Sequence, residues 1–244
     1  MKILVPLPDR DFDTTEVAIP WHVFVRAGHQ VVFATEHGAA AACDPKLLDG
    51  VIFGQLGAEA EACQRYAEMI ASPGFQAPIR WDQIVPADYA ALLLPGGHAQ
   101  GVRQYLDSAL LQQQVGGFAA LDRPIAAICH GVLLLARACD PASGASLLAG
   151  RRATCLPKYL ERSAFYLTAW RLGRYYRTYP DYTEDEVRAA IGAHGQFERG
   201  PIQFIAKGSD QDDSAAFVVE DGNLLTARWP GDVWLLAKSL LGKL

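Results

Sequence analysis

The chain has 244 residues and a formal charge of −5 at pH 7, with 50% of its residues hydrophobic and 20% charged. That balance can bury a large core and excludes a disordered chain, and no clustered basic surface of the kind nucleic acid requires is present. Residues 1–244 are read as one domain, because this length suits a single α/β unit with elaborations better than two separate cores.

Residues 3–7 form a short apolar run expected as a strand, residues 16–27 a helix stopped by Gly28, and residues 31–35 a second strand. Strand, helix, strand in that order implies a right-handed crossover and a parallel sheet. Residues 36–88 lose this rhythm among prolines and glycines, with one helix at about 58–70, and read as a cap-like insertion over the sheet. The alternation resumes with a strand at 90–94, a helical segment at 102–121, a central strand at Ile125–Ile128 and a helix at 130–138. A second, irregular insertion covers about 156–201. Within it, the arginines Arg171, Arg174 and Arg177, interleaved with Tyr175 and Tyr176, read as a solvated helix face. Strands follow at 202–206, 215–219 and Leu224–Ala227, the last two joined by a turn at Asp221-Gly222-Asn223, and Val233–Leu241 closes as a helix.

No apolar stretch reaches the ~20 residues of a membrane span, and Met1-Lys2-Ile3-Leu4-Val5-Pro6 lacks the long apolar core of a leader. A cytoplasmic protein with no membrane or nucleic-acid partner is expected. Five cysteines without a CxxC pair fit reduced thiols better than a disulfide framework or a zinc site. His22, His37 and His98 with Glu36 could supply metal ligands, but their spacings match no compact motif, so no metal is expected.

The sharpest local signal is Pro124-Ile-Ala-Ala-Ile-Cys129-His130-Gly131, where an apolar strand passes through one polar pair directly into an apolar helix. A turn this tight needs small neighbours, here Ala127 and Gly131, and holds its central residue in a strained conformation. The helix start is expected to lower the pKa of Cys129 and make it nucleophilic. Cys43, Cys63, Cys139 and Cys155 read as ordinary buried thiols. A second signal is Leu92-Leu-Leu-Pro95-Gly96-Gly97-His98, a strand ending in glycines whose bare backbone can face a ligand. The amides of Gly97 and His130 are expected to converge there as an oxyanion hole.

These elements resemble the ThiJ/PfpI superfamily of the class I glutamine amidotransferase-like fold. The similarity runs through Lys2 to Leu7, Thr15-Glu16, Ala27-Gly28-His29, Asp88 to His98, Ala127-Ile-Cys-His-Gly131, Leu147 to Thr154 and Asp221 to Ala227, nearly the whole chain in the family's order. The resemblance implies a doubly wound, flavodoxin-like, mostly parallel sheet with a nucleophile elbow at Cys129. It implies Glu16 as the acid that hydrogen-bonds the cysteine, protonated because two adjacent negative charges repel. His130 would be the acid/base. Glu161 would be the carboxylate orienting His130, although Leu156-Pro-Lys-Tyr-Leu-Glu-Arg162 departs from the acidic cluster of that branch.

The insertion at 36–88 is similar to the cap of the branch that holds glutathione-independent glyoxalases (glyoxalase III, or D-lactate dehydratase type) and heat-inducible holding chaperones. The reading that follows is a cofactor-independent enzyme that converts a 2-oxoaldehyde to a 2-hydroxy acid through a thiohemiacetal on Cys129. Its partner would be a small-molecule carbonyl, and the family's habit implies a homodimer. A cysteine hydrolase or amidase, and a stress-related chaperone, remain the alternatives.

Overall fold

The computed structural model describes residues 1–244. The short apolar runs pair as one seven-stranded sheet: β1 (Lys2–Pro6), β2 (Gln30–Thr35), β3 (Ile79–Arg80), β4 (Ala91–Leu94), β5 (Ile125–Ile128), β6 (Val218–Asp221) and β7 (Leu224–Ala227), in the order β6-β7-β5-β4-β1-β2-β3. Only the β6–β7 hairpin is antiparallel. Every residue of β4, β5 and β7 is buried, as parallel strands covered on both faces require.

Successive side chains point to opposite faces, so Ile3 and Val5 of β1 enter one core while Leu4 enters the other. The first core lies beneath α1 (Thr14–Arg26), α2 (Ala60–Ile70) and α7 (Val233–Leu241). The second lies beneath α3 (Ala109–Ala119), α4 (Val132–Arg137) and α6 (Thr183–Ile191). A further helix, α5 (Lys158–Leu172), buries only Glu161 and Thr168 and packs against α6. At the start of α7 an ion pair is wholly buried: Arg228 donates from Nε to Asp232 Oδ2 at 2.8 Å and from Nη2 to Oδ1 at 2.7 Å. No helix is long and apolar enough to cross a membrane.

The mostly parallel, doubly wound sheet agrees with the sequence reading, and several details correct it. The segment at 156–201 is not irregular, since it contains α5 and α6. Around α5 the apolar residues are spread over the whole circumference, with Glu161 and Thr168 buried and Tyr166, Leu167 and Trp170 exposed, so no amphipathic stripe marks it. The insertion at 36–88 gives its end back to the sheet as β3, and buried Trp81 follows, its Nε1 donating to the Ala34 carbonyl at 3.1 Å. The helix expected at 102–121 is broken before Ser108, which caps α3 by accepting from the Leu111 amide. No strand forms at 202–206, where Ile202 and Ile205 are exposed and β6 already occupies the sheet edge. The strand placed at 215–219 forms instead as β6.

Candidate active site

β5 delivers the chain into a single tight turn, Cys129–Gly131, from which α4 departs. Ile128 is extended, and Cys129 takes φ 57°, the left-handed region that costs a non-glycine residue about 1–3 kcal/mol. The turn fits only because its neighbours lack side chains. A Cβ on Gly131 would lie 2.2 Å from the Leu94 carbonyl oxygen, and one on Gly96 would lie 2.8 Å from the His130 amide nitrogen and 3.1 Å from Cys129 Cβ. The turn places Cys129 at the C-terminal ends of β4 and β5, the end of a parallel sheet where ligand crevices form in such folds.

Glu16 reaches the same crevice from the first turn of α1. Asp13 caps that turn, its Oδ1 accepting from the Thr15 and Glu16 amides at 2.8 and 3.0 Å. The wholly buried Glu16 carboxyl accepts from the Gly96 amide through Oε2 at 2.8 Å, and Oε1 makes no hydrogen bond. Burial and the neighbouring Asp13 hold the Glu16 carboxyl well above the usual carboxylate range, which agrees with a protonated acid.

The expected lowering of the Cys129 pKa by a helix terminus does not hold. The residue is only 4% exposed, and burial first, then the charges of Glu16 and Asp13, push the thiol well up, opposed by the His130 amide. The helix that follows spans only Val132–Arg137, behind an intervening 3-10 turn, so its dipole cannot outweigh that desolvation.

His130 is fully buried, with Nδ1 at 3.6 Å from Cys129 Sγ. Its Nε2 lies 4.0 Å from Glu161 Oε1 and makes no hydrogen bond. Glu161 is therefore beside the imidazole, but its oxygens are committed elsewhere: Oε1 accepts from Arg177 Nη1 at 3.3 Å and Oε2 from the Thr183 amide at 3.0 Å. Burial, reinforced by His98, Arg137 and Arg177, keeps His130 neutral by holding its pKa well below the ordinary histidine value. Against its ring lies His98, with centroids 4.7 Å apart in an edge-to-face arrangement. Of the two glycines, Gly96 adjoins the His130 amide, while the Cβ position of Gly97 lies 2.5 Å from the Asp11 carbonyl, at the connection into α1.

The Tyr/Arg-rich segment forms the roof of this site, a role the sequence did not disclose. Tyr175 and Tyr176 donate from their hydroxyls to the two oxygens of Asp44 at 2.9 and 2.8 Å, which joins the early insertion to the late one. Thr178 donates to the His98 carbonyl at 2.7 Å. Arg177, expected on a solvated face, is instead largely buried between Glu161 and the Tyr182 ring, 3.8 Å from its centroid. The signal was present as an unusual density of tyrosine and arginine, but alternation alone cannot tell a roof from a solvated helix.

The histidines weighed as metal ligands do not assemble. His22 packs on Trp234 and His98 lies on His130. His37 and Glu36 come together with Asp9 at the exposed edge, where Gln104 donates to both carboxylates. Cys43 and Cys155 are buried, Cys63 is half-buried and Cys139 is exposed, and all five cysteines are free thiols.

A ThiJ/PfpI family-like model matches residues 7–201. An uncharacterized protein of Schizosaccharomyces pombe is 28% identical over 184 residues, covering 73% of this chain and 67% of that protein. A deglycase of Pyrococcus abyssi is 24% identical over 234 residues, covering 96% and 93%. Among solved structures, glyoxalase III from Candida albicans shares the fold with a TM-score of 0.69 at 20% identity, covering 100% of this chain and 97% of that one. The match over residues 7–201, carried by the same strand, elbow and glycine turn described above, makes this chain a member of the ThiJ/PfpI family.

Proposed function

We propose that the protein is a cysteine-dependent, cofactor-independent enzyme of the glyoxalase III type, acting on a 2-oxoaldehyde. The observation that carries this reading is a strained cysteine in one buried cluster with an acid and a neutral imidazole: Glu16 is held on the Gly96 amide beside the cysteine turn, and His130 Nδ1 is 3.6 Å from the Cys129 sulfur. The glyoxalase III of Candida albicans and the deglycase of Pyrococcus abyssi support the same direction by likeness.

At rest the thiol keeps its proton, because burial disfavours the thiolate. Activation then falls to the adjacent base: His130 takes the thiol proton as sulfur attacks the aldehyde carbon, and the nearby Glu161 carboxylate stabilises the imidazolium. Glu16, entering protonated, gives its proton to the new alkoxide and completes the hemithioacetal. As a carboxylate it next removes the hydrogen on C1 as a proton and returns it to C2 through an enediol, while protons on the two oxygens exchange through His130. The product of that transfer is a thioester, and water releases the 2-hydroxy acid and regenerates the thiol. The net change is addition of one water, with C1 oxidised and C2 reduced within the substrate.

The test is incubation of the purified protein with methylglyoxal and glyoxal in the absence of glutathione and nucleotide, with product identified by chromatography. Lactate and glycolate should form, and Cys129→Ala should abolish both. Hydrolysis of amides or esters by wild type that ignores every 2-oxoaldehyde would replace this reading with the cysteine hydrolase one.

A further inference from the structure

A cavity of about 160 Å³ adjoins the site through His98 and Asp13, while Cys129, Glu16 and His130 do not themselves line it. Its apolar wall is built by Leu47, Val51, Leu56, Ala164 and Leu167, drawn from both insertions. Its floor is shared with the site, since it contains Asp13, which caps the Glu16 turn, and His98, whose ring packs on His130. We infer that this cavity is the subsite for the substrate's substituent, and that an uncharged carbonyl compound carrying an apolar, aryl-sized group is preferred over a bare two- or three-carbon aldehyde. The inference deepens the function proposed above and rests on it for the reaction, though not for the shape of the pocket.

Three observations converge on this chemistry. The wall facing the ligand is aliphatic, and burying an aromatic ring against it is favourable at about 25 cal/mol per Å². No lysine or arginine lines the cavity, whereas Asp13 and Asp44 do, so a substrate carboxylate would meet like charge with nothing to pair it. Asp44 is not free to bind a cationic ligand either, because both of its oxygens already accept from tyrosine hydroxyls. At the mouth Leu56 and Leu167 are each 57% exposed, and the exposed Phe53 and Trp170 rings lie 6.4 Å apart, with the Arg171 guanidinium 5.1 Å from the Phe53 ring centre. Exposed apolar side chains beside a pocket are an ordinary mark of a ligand path.

The experiment reads the cavity through Cys129 itself, independently of turnover. Alkylation of Cys129 by N-benzyl iodoacetamide, iodoacetamide and iodoacetate is followed by peptide mass spectrometry, each rate divided by that reagent's rate with glutathione. The benzyl reagent should exceed iodoacetamide by about tenfold or more, and iodoacetate should fall about tenfold below it. In Leu167→Asp, an exposed position whose substitution spares the core, the benzyl advantage should collapse toward unity. Normalised rates that are equal, or fastest for iodoacetate, overturn the subsite. In turnover, kcat/KM for phenylglyoxal should exceed that for glyoxal by a similar factor, and the reverse order also overturns it. Benzyl preference at Cys129 without consumption of any 2-oxoaldehyde would sustain the subsite and remove the glyoxalase reading instead.

Discussion

Replacing Glu16 by glutamine separates the two tasks assigned to that side chain. The carboxyl is wholly buried, accepts from the Gly96 amide at 2.8 Å beside the cysteine turn and leaves its second oxygen without a hydrogen bond. Glutamine keeps the size, accepts the same amide hydrogen through its carbonyl and can still donate to sulfur, but it cannot carry a proton from one carbon to the next. Turnover should therefore fall ~10²–10⁴-fold, the usual share of general acid–base catalysis, or about 2.7–5.4 kcal/mol in the barrier. Glu16→Ala should add a stability loss of about 1–3 kcal/mol, since it strands the buried Gly96 amide. The pH dependence has a definite sign. The folded carboxyl is raised above its ordinary value of 4.5, so its contribution to stability is intact below that pH and is lost as pH rises through the folded pKa. Glutamine has no such titration, and the stability of Glu16→Gln relative to wild type should grow as pH increases above 4.5. Steady-state kinetics, circular dichroism and thermal melts across pH measure all three quantities. Undiminished turnover in Glu16→Gln would refute the proton-transfer role, and a flat stability difference across pH would refute the protonated acid.

Two further outcomes follow from the buried charges. Arg228→Met leaves Asp232 buried with its main ionic partner gone and should destabilise by about 3–5 kcal/mol in denaturant melts, while the double variant Arg228→Met, Asp232→Leu should recover much of that loss. Burial lowers His98 from 6.5 to about 4, so its contribution to stability is present above pH 6.5 and is lost as pH falls toward 4; thermal melts of His98→Gln should show a shallower decline than wild type across that window, and identical slopes would contradict the buried neutral imidazole.

The parts of this site that could be read from sequence are those fixed by local geometry. Cys129 stands out because a strand meets a helix with no loop, and Gly131 because so tight a turn needs a small neighbour; of the glycine pair after β4, the sequence reading points to Gly97, whereas Gly96 is the one that lies against the His130 amide. Glu16 and Glu161 were reached only through the family resemblance, and their surroundings differ from one another: Glu16 is committed to the cysteine turn, whereas Glu161 is held by Arg177 and Thr183. The thiol's environment was misjudged, because an argument from the helix terminus alone omits burial and neighbouring carboxylates, which are tertiary properties. The roof was hidden for the same reason. Tyr175 and Tyr176 lie far along the chain from Asp44, and nothing local to either segment announces the bond between them.

Arg177 is where fold and chemistry meet. Its guanidinium sits at 3.3 Å from Glu161 Oε1 while His130 Nε2 waits 4.0 Å from the same oxygen. With the imidazole neutral, the arginine is the better partner, because a charge-assisted bond outweighs one to an uncharged ring. In the reaction proposed above, once His130 takes the thiol proton the ring becomes a cation beside a carboxylate and the balance shifts toward it. On that reading the arrangement keeps His130 uncharged before attack and offers it a counter-charge only afterwards, so that stabilisation is larger for the state formed during the reaction than for the resting one. A roof segment that both closes the cavity and holds this arginine couples the shape of the pocket to the basicity of the residue beneath it.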